Sequence, residues 1–485
     1  MQKYGFGGKT MDKYKKLASN TIIFAIGSFG AKILSFFLVR LYTTYIDSAG
    51  FGIKELIETT ANFLIPVVTF SMTDAVVRYG LRKEYSKKKI FTSAAIMIMI
   101  GLTILALLSP LFNLVSYLDG YGFLLYLYIF CSCFRSLCSN FVRAKGYVKL
   151  FAADGIFTTL MLLIFNLIFI AGLEMGVKGF LISVILSDLS SGIMLTLIAK
   201  LWNYFSFKEI DKEMIKKMLR YSFPLIPTAL MWLITGFSDR IFLRYMDYPY
   251  EVTGEAATGL YSAASKIPNL IAMISTIFYQ AWNMSAIMES KSDDLSEFYT
   301  KVYKAYQSVL YMAAAWLIAL VIPLSALFLN YDHDPLYRTA FRYTPLLVVA
   351  VLMMCFSQFL SSVYNVTKKT KNSFVTSAVS ATVNIVLNIV LIKRFGIQGA
   401  GVATLCSYLV CYLIRLVDCR KQIPFDVDMV KAALNFCVLM LMCVVVIFMP
   451  VGWIDYLIAG TVYITVANFG AVLKTLKKFL DRRKA

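Results

Sequence analysis

The sequence predicts an all-α membrane protein of about fourteen transmembrane helices, and three observations predict it: the composition, the continuity of the apolar runs and the placement of the basic residues. Of 485 residues, 59% are hydrophobic and only 16% are charged, with a mean hydropathy of +0.70. A soluble domain is about half apolar and a quarter charged, so a water-soluble enzyme is excluded. Because a spanning helix takes about 20 apolar residues, the chain has room for a dozen or more.

The apolar runs are continuous rather than alternating, as in residues 94–108. Backbone amides in hydrocarbon must be bonded within helices or a closed barrel, and continuous runs favour helices. Short polar breaks separate fourteen predicted spans: 18–41, 53–75, 90–113, 121–142, 150–172, 179–200, 220–243, 257–284, 305–329, 343–366, 372–392, 399–417, 430–450 and 454–473.

The basic residues predict the orientation. Of 48 Lys and Arg, 36 lie before the first span, in the even-numbered breaks or in the C-terminal tail, and only six lie in the opposite loops. Positive loops stay cytoplasmic, which places both termini inside and requires an even number of spans. The excess also predicts contact with anionic membrane lipids and argues against nucleic acid. No removable signal peptide is predicted, and Met11 is an alternative start to Met1.

An internal repeat at an offset of about 220 residues divides the chain. Gly176-Val177-Lys178-Gly179 matches Gly396-Ile397-Gln398-Gly399, and both copies start inside, so the repeats are parallel. Transporters built of such halves bind substrate between them. The predicted segments are a cytoplasmic N-terminal stretch (1–17), an N-lobe of six helices (18–200), a cytoplasmic linker (201–219), a C-lobe of six helices (220–421), two extra C-terminal helices (430–473) and a basic cytoplasmic tail (474–485).

Ionisable residues at span depth are the candidate functional groups. Each costs about 2.5–3.5 kcal/mol on insertion scales, so such a residue faces a cavity or a partner. The six that stand out are Lys32, Arg135, Asp188, Asp239, Arg240 and Lys266. Two structural alternatives stay open at this stage. Asp239 could simply neutralise Arg240 or Lys266, and Arg135 could reach the inner headgroups.

Polar residues at helical spacing add to these candidates. Glu55, Glu58 and Asn62 share one face of the second span, where two carboxylates favour a wet cavity. Trp232 and Asp239 share a face of the seventh span, and Lys266 and Asn269 a face of the eighth. The Ser and Asn stripe of the eleventh span favours a helix–helix seam; it consists of Ser373, Ser377, Ser380, Asn384 and Asn388.

No catalytic or metal constellation is apparent. His333 is the single histidine, and the nine cysteines lack metal-ligand spacing and lie in or beside apolar runs, where a thiol packs as a small hydrophobe. The sequence therefore predicts no metal, no cofactor and no catalytic residue, and a transporter rather than an enzyme.

Several motifs, taken in order, resemble the multidrug/oligosaccharidyl-lipid/polysaccharide (MOP) exporter superfamily, in its polysaccharide flippase branch. They are Asn20-Thr21 with Gly27 and Gly30-Ala31-Lys32; Leu41-Tyr42-Thr43; Ala49-Gly50-Phe51-Gly52; Ser222-Phe223-Pro224-Leu225-Ile226-Pro227; Asp239-Arg240; and Gly259-Leu260-Tyr261-Ser262-Ala263-Ala264-Ser265-Lys266. The resemblance covers nearly the whole chain, and the order and spacing of the motifs carry it.

The resemblance implies a MATE-like fold, with two six-helix lobes lining a central cavity in the bacterial cytoplasmic membrane. The implied function is flipping of undecaprenyl-pyrophosphate-linked oligosaccharide from the inner to the outer leaflet. Basic cavity residues would hold the pyrophosphate: Lys32, Lys266, Arg135 and Arg240, with Asn62, Trp232 and Asn269. Carboxylates would serve ion coupling, to H+ or Na+, or counter-charge: Glu55, Glu58, Asp188 and Asp239.

Polymerase and other polysaccharide-assembly proteins are implied as partners, and helices 13–14 as a lipid-tail groove or a scaffold. The alternatives are a cation-coupled multidrug antiporter of the same fold, which wants an acidic aromatic cavity, and a lipid II flippase. A membrane-embedded glycosyltransferase would need a catalytic acid in a large outer loop, and the outer loops are short.

Overall fold

The computed structural model describes residues 37–82, 84–223, 225–250, 252–288, 295–367 and 369–484, and these ranges contain helices and loops without any β-strand. The prediction of an all-α protein is therefore confirmed. Most of the first predicted span, 18–41, lies outside the described residues, and Lys32 lies outside them too.

The described residues contain seventeen α-helices. In chain order they are α1 (37–45), α2 (Ser48–Val68), α3 (Met72–Gly80), α4 (Lys87–Leu108), α5 (Gly122–Ala144), α6 (Val148–Asn166), α7 (Gly176–Ala199), α8 (Lys212–Ser222), α9 (Leu225–Tyr245), α10 (Gly254–Ala264), α11 (Asn269–Met288), α12 (Leu295–Ala319), α13 (Val321–Phe328), α14 (Thr344–Thr367), α15 (Thr370–Gln422), α16 (Met429–Phe448) and α17 (Trp453–Lys484).

Within the described residues, seven helices are long and apolar enough to cross a membrane. Two bent pairs, α2–α3 at 56° and α12–α13 at 72°, raise the number to nine if each pair is one span. The 53-residue α15 bends at Gly396, whose φ of 53° is left-handed, and it covers two predicted spans, 372–392 and 399–417. The chain is thus a multi-pass membrane protein, while the count of fourteen spans stays a prediction.

The first compact unit consists of residues 37–46 and Ile53–Leu233. Within it α5 packs against α6 and α7, and α3 packs against α4, α5 and α8. Phe141 of α5 is buried, with its ring 4.7 Å from that of Phe91 and 5.2 Å from that of Tyr204. The segment that follows α7, 201–223, is therefore part of this unit rather than a free connection.

The second compact unit consists of Asp47–Gly52 and the chain from Ile234 onward. Its core is an aromatic cluster around Phe359, whose ring centroid is 4.9 Å from that of Trp282, 5.0 Å from that of Tyr303 and 5.2 Å from that of Tyr306. All four side chains are buried. Here the high aromatic content serves packing, and stacked rings of this kind stabilise a core beyond the burial of their area.

Residues 47–52 belong to the second unit because the first turn of α2 crosses α10 at backbone contact. A Cβ atom placed on Gly52 would lie 2.1 Å from the carbonyl oxygen of Glu255, and one on Gly259 would lie 1.8 Å from the carbonyl oxygen of Ser48. The Ser48 N–H also donates to Asp334 Oδ2 at 2.8 Å. Only glycine permits such an approach, as small residues do between membrane helices generally.

Candidate functional site

Lys54 occupies a closed ionic cluster on the second predicted span. Its Nζ atom is 2.8 Å from Glu55 Oε1 and 2.5 Å from Glu58 Oε2, and it also lies 4.4 Å from the ring centroid of Phe180 and 4.9 Å from that of Tyr42. Two carboxylates on one ammonium leave one net negative charge. The predicted counter-charge residues thus have a local cation as their first partner, and Glu58 is the half-exposed member.

A second ionic cluster, in the same unit, joins α5, α6 and α7. The Arg135 guanidinium donates to Asp188 Oδ1 at 3.4 Å, to Asp154 Oδ2 at 3.3 Å and to Ser191 Oγ at 3.1 Å. Ser132 donates to Asp188, and Ser191 to Asp154. Arg135 and Asp188, predicted separately, are brought together, and the guanidinium bridges two buried carboxylates.

The second unit contains a buried carboxylate held by neutral donors. Asp239, only 1% exposed, accepts from the amides of Asn384 at 3.0 Å and Asn388 at 2.6 Å, and from the hydroxyls of Tyr261 at 2.5 Å and Thr404 at 2.6 Å. Asn388 Oδ1 is buried and accepts no hydrogen bond from the described chain. The site therefore combines a carboxylate and an unsatisfied amide oxygen.

The Ser and Asn stripe on α15 is the predicted helix–helix seam. Besides the two asparagines at Asp239, Ser380 Oγ donates to the carbonyl oxygen of Ser407 at 2.9 Å. Ser377 Oγ accepts from Arg415 Nη2 at 2.9 Å. The stripe residues are buried or half-buried, which confirms the seam.

The remaining predicted cations of the second unit lie at or near the break between α10 and α11. Arg240 donates from Nε to Ser262 Oγ at 3.0 Å and from Nη1 to the Gly236 carbonyl oxygen at 2.5 Å. Lys266 lies in the break itself, with Nζ 5.7 Å from the ring centroid of Phe51. Asn269 opens α11 and is exposed, as is Asn62 on α2. Trp232 lies in α9, and its side chain is not among those that the structure describes.

Sequence reasoning missed three buried charges: Lys54, Asp154 and Arg415. Asp154 lies in an apolar span, and its position alone would have marked it for the same reason as Asp188. Arg415 is one of the 36 basic residues on the side predicted to be cytoplasmic, but its side chain is fully buried and donates to Thr376, Ser377 and two backbone carbonyl oxygens. In the described residues no group of three or more His, Cys, Asp or Glu is placed to bind a metal.

An apolar groove of about 430 Å³ lies between α12 and α17 in the second unit. Its walls include Trp316, Trp453, Leu457 and Ile458. Thr465 also lines it, and its buried hydroxyl has no hydrogen-bond partner in the described chain. A groove with such walls accommodates hydrocarbon rather than a charged ligand.

Apolar helices that retain ionic clusters at membrane depth define a multi-pass membrane protein of the transporter class. The family described as "Polysaccharide biosynthesis protein" matches residues 17–283, more than half of the chain. The chain therefore belongs to this family. A second family, described as "Lipid II flippase MurJ", matches residues 345–468.

Two uncharacterized membrane proteins of Methanocaldococcus jannaschii are similar in sequence. One is 23% identical over 230 residues, covering 44% of each chain, and the other is 28% identical over 263 residues, covering 51% of this chain and 59% of the relative. The chain thus spans about half the length of the curated relatives it matches.

Solved structures confirm the MATE-like fold. The lipid II flippase MurJ in an inward closed conformation has a TM-score of 0.66 at 16% identity, covering 94% of this chain and 99% of that one. A MATE transporter in complex with MaL6 gives 0.60 at 14% identity, and a MOP superfamily transporter from Pyrococcus furiosus gives 0.59 at 14%. These two cover 84% of this chain and 96% and 95% of theirs. At such identities the likeness concerns the fold alone.

Proposed function

We propose that the protein is a flippase that moves undecaprenyl-pyrophosphate-linked oligosaccharide from the inner to the outer leaflet of a bacterial cytoplasmic membrane, with both termini inside. The observation that carries the proposal is the presence of three cationic side chains in a polysaccharide biosynthesis family member: Arg135 and Arg240 within helices, and Lys266 at the break between α10 and α11. Such charges are costly in a membrane and are retained where they bind something. In a medium of low dielectric constant a cation attracts a pyrophosphate far more strongly than in water.

Lys266 is the proposed pyrophosphate ligand that is best placed for a test. It lies at a helix break rather than within a continuous helix, and non-helical backbone at membrane depth is tolerated where it is buried or lines a cavity. Arg240, which donates to Ser262 one turn before Lys266, would supply a second charge. Arg135 already bridges two carboxylates, so its contribution to substrate would require one of them to be neutralised. Lys32, with Asn62, Trp232 and Asn269, completes the proposed set.

The test is flipping of a fluorescent polyprenyl-pyrophosphate oligosaccharide in proteoliposomes. We expect Lys266→Gln to lower the flipping rate at least about tenfold, the equivalent of 1.4 kcal/mol, and Lys266→Arg to retain most of it. Lys393→Gln, which removes an exposed lysine outside the proposed set, is the control. Normal flipping by Lys266→Gln at normal expression would contradict the proposed role of Lys266.

We further propose that Asp239 couples transport to a cation, H+ or Na+. A carboxylate with an adjacent unsatisfied amide oxygen has the hard oxygen ligands that Na+ takes up, and protonation of the carboxyl group would supply the donor that Asn388 Oδ1 lacks. If Na+ binds, the melting temperature of the wild type rises in NaCl relative to KCl, and Asp239→Asn abolishes the rise. If H+ binds, flipping responds to an imposed pH gradient and Asp239→Asn abolishes the response. If NaCl does not raise the melting temperature and a pH gradient does not change flipping, coupling at this residue is excluded.

The groove between α12 and α17 is the proposed seat of the polyprenyl chain. One of its walls, α12, belongs with α13 to a bent pair that is apolar enough to span a membrane, and the groove lies in the unit that contains the lipid II flippase match. Ile458→Trp narrows the groove at a position that is already exposed, so we expect slower flipping of a long polyprenyl substrate and little change with a short-chain analogue. The control is Val451→Trp, because Val451 is fully exposed and does not line the groove. Equal effects on both substrates would refute a tail site.

Two other functions have a specific observation in their favour. A multidrug antiporter is favoured by the buried Asp239 and the half-exposed Glu58, and a lipid II flippase is favoured by the match to MurJ over 345–468. Organic-cation efflux that survives Lys266→Gln would identify the antiporter. Complementation of lipid II export, with no effect on surface polysaccharide, would identify the lipid II flippase.

A further inference from the structure

The segment between α7 and α9 exposes an unusual number of large apolar side chains. Trp202 is 51% exposed, Phe207 70% and Phe223 62%, and Ile210 is exposed as well. This segment is polar overall, and the opposite face of α8 already buries Met214 and Met218 against the first unit. The exposed aromatic residues are therefore not needed to attach the segment to the protein.

The segment is nevertheless held rigidly. Thr92 on α4 accepts from the Ser206 N–H at 3.2 Å and donates to the carbonyl oxygen of Tyr204 at 3.1 Å. Lys89 forms an ion pair with Asp211 at 2.9 Å. These contacts fix the exposed side chains in one arrangement, so a surface that they bind meets them already ordered and loses less entropy on binding.

The charges of the segment are predominantly positive. Six basic residues and three acidic ones lie between 200 and 223. Two of the acids are occupied, Asp211 by Lys89 and Glu213 by Lys217. The hydrogen bond from Lys89, with a further one from the Met214 N–H, holds the pKa of Asp211 below its ordinary value, so this pair persists at neutral pH. The exposed cations that remain are Lys200, Lys208, Lys212, Lys216 and Arg220.

Chain connectivity places this surface at the end of a membrane span. The candidate span α7 ends at Ala199, and Trp202 lies three residues after it. Phe223 lies two residues before the first residue of α9. Tryptophan and phenylalanine beside lysine at such a position are typical of helices that lie in the membrane interface. A water-soluble protein partner would not require the aromatic residues to lie at the level of the helix ends.

We propose that residues 200–223 form a preformed binding surface for anionic phospholipid headgroups, with Trp202, Phe207 and Phe223 inserted into the interface and Lys208, Lys212 and Lys216 on the headgroups. The partner is the lipid surface itself, whichever substrate the protein carries. Binding at this surface therefore depends on the fraction of anionic lipid in the leaflet, because each lysine near an anionic surface contributes about 1 kcal/mol to the free energy of binding.

The test uses the full chain in vesicles that contain equimolar phosphatidylcholine and phosphatidylglycerol, with bromine on the acyl chains of one lipid at a time. The signal of Trp202 is the fluorescence difference between the wild type and Trp202→Phe. We expect brominated phosphatidylglycerol to quench this signal about fivefold more efficiently than brominated phosphatidylcholine, the Boltzmann weight of one lysine at such a surface. The triple change Lys208→Gln, Lys212→Gln, Lys216→Gln should abolish the preference.

The matched control is the triple change Lys371→Gln, Arg420→Gln, Lys421→Gln, which removes three exposed charges outside the segment on the side predicted to be the same and should leave the preference intact. If neither lipid quenches Trp202, the segment faces water or a protein partner and the proposal is wrong. Equal quenching by both lipids would overturn the role of the lysines and leave only an apolar anchor. Either failure is independent of flipping, which is measured separately.

Discussion

Addition of one methyl group at Gly259 should separate α2 from α10. The Cβ of Gly259→Ala would lie 1.8 Å from the Ser48 carbonyl oxygen, while ordinary contact begins at 3.4 Å. The atoms that this Cβ meets are backbone atoms of Ser48 and Gly52, so no rotamer change relieves the clash and the helices must move apart by about 1.6 Å. This movement also stretches the bond of 2.8 Å from the Ser48 N–H to Asp334. Overpacking costs about 1–3 kcal/mol, and a weakened hydrogen bond to a charged acceptor adds about 1.5 kcal/mol.

We therefore expect Gly259→Ala to lower the free energy of unfolding by about 3 kcal/mol, measured by SDS titration in mixed micelles. Gly401→Ala is the matched control because its Cβ would meet only the Leu346 side chain, at 3.6 Å, and both changes gain the same helix propensity of about 1 kcal/mol. Gly52→Ala opens the same helix pair, so the double variant Gly52→Ala, Gly259→Ala should lose less than the sum of the two. If Gly259→Ala and Gly401→Ala unfold alike, the crossing is not a rigid backbone contact.

Three further outcomes concern individual charged residues. Arg415→Met leaves four acceptors without their donor and should cost about 3 kcal/mol or more of unfolding free energy, against almost nothing for the exposed Arg420→Met; equal values would refute the burial of Arg415. Lys54→Met leaves two carboxylates facing each other and should cost about 3–5 kcal/mol, and the added change Glu55→Gln should restore part of the loss; no recovery would contradict the ionic cluster. Burial would raise the pKa of Asp334, but hydrogen bonds from Ser48 and the Leu336 N–H hold it below its ordinary value. That stabilisation is complete above the unfolded pKa of about 3.9 and disappears as the pH falls through the lower folded value, so the melting temperatures of the wild type and Asp334→Asn should converge in acid; a constant difference from pH 7 to pH 3 would refute it.

The fold class was predictable because it depends on quantities that a sequence carries directly. Continuous apolar runs predict helices without any knowledge of their neighbours, and the spacing of Ser380, Asn384 and Asn388 placed them on one face of a helix. The seam on α15 followed from that spacing. The count of spans is less accessible, since α2–α3 and α12–α13 are bent by 56° and 72° and each pair is either one broken span or two separate helices. The predicted spans 372–392 and 399–417, in contrast, correspond to two helical segments of α15 that meet at the non-helical Gly396.

The partners of each charge were not predictable in the same way, because they depend on which helices are neighbours. Pairing of Asp239 with Arg240 or Lys266 was one alternative that the sequence left open, whereas the donors that Asp239 accepts from are neutral side chains of α10 and α15. Arg415 follows an apolar run and reads as the first residue of a basic loop, yet α15 extends beyond it and buries it among hydroxyls and carbonyl oxygens. The roles of Lys32, Lys266 and the other site residues remain predictions.

The placement of residues 47–52 has a consequence for the evolutionary autonomy of the two halves. If the chain arose by duplication of a six-helix ancestor, each half once folded by itself, but the second unit now completes its packing with six residues encoded in the first half. A gene split between the repeats would leave Gly259 facing an empty groove and Asp334 without the Ser48 amide. The halves should then be stable only when they are co-expressed. One turn of helix, at residues 47–52, would thus be enough to prevent the two halves from separating again into independent proteins.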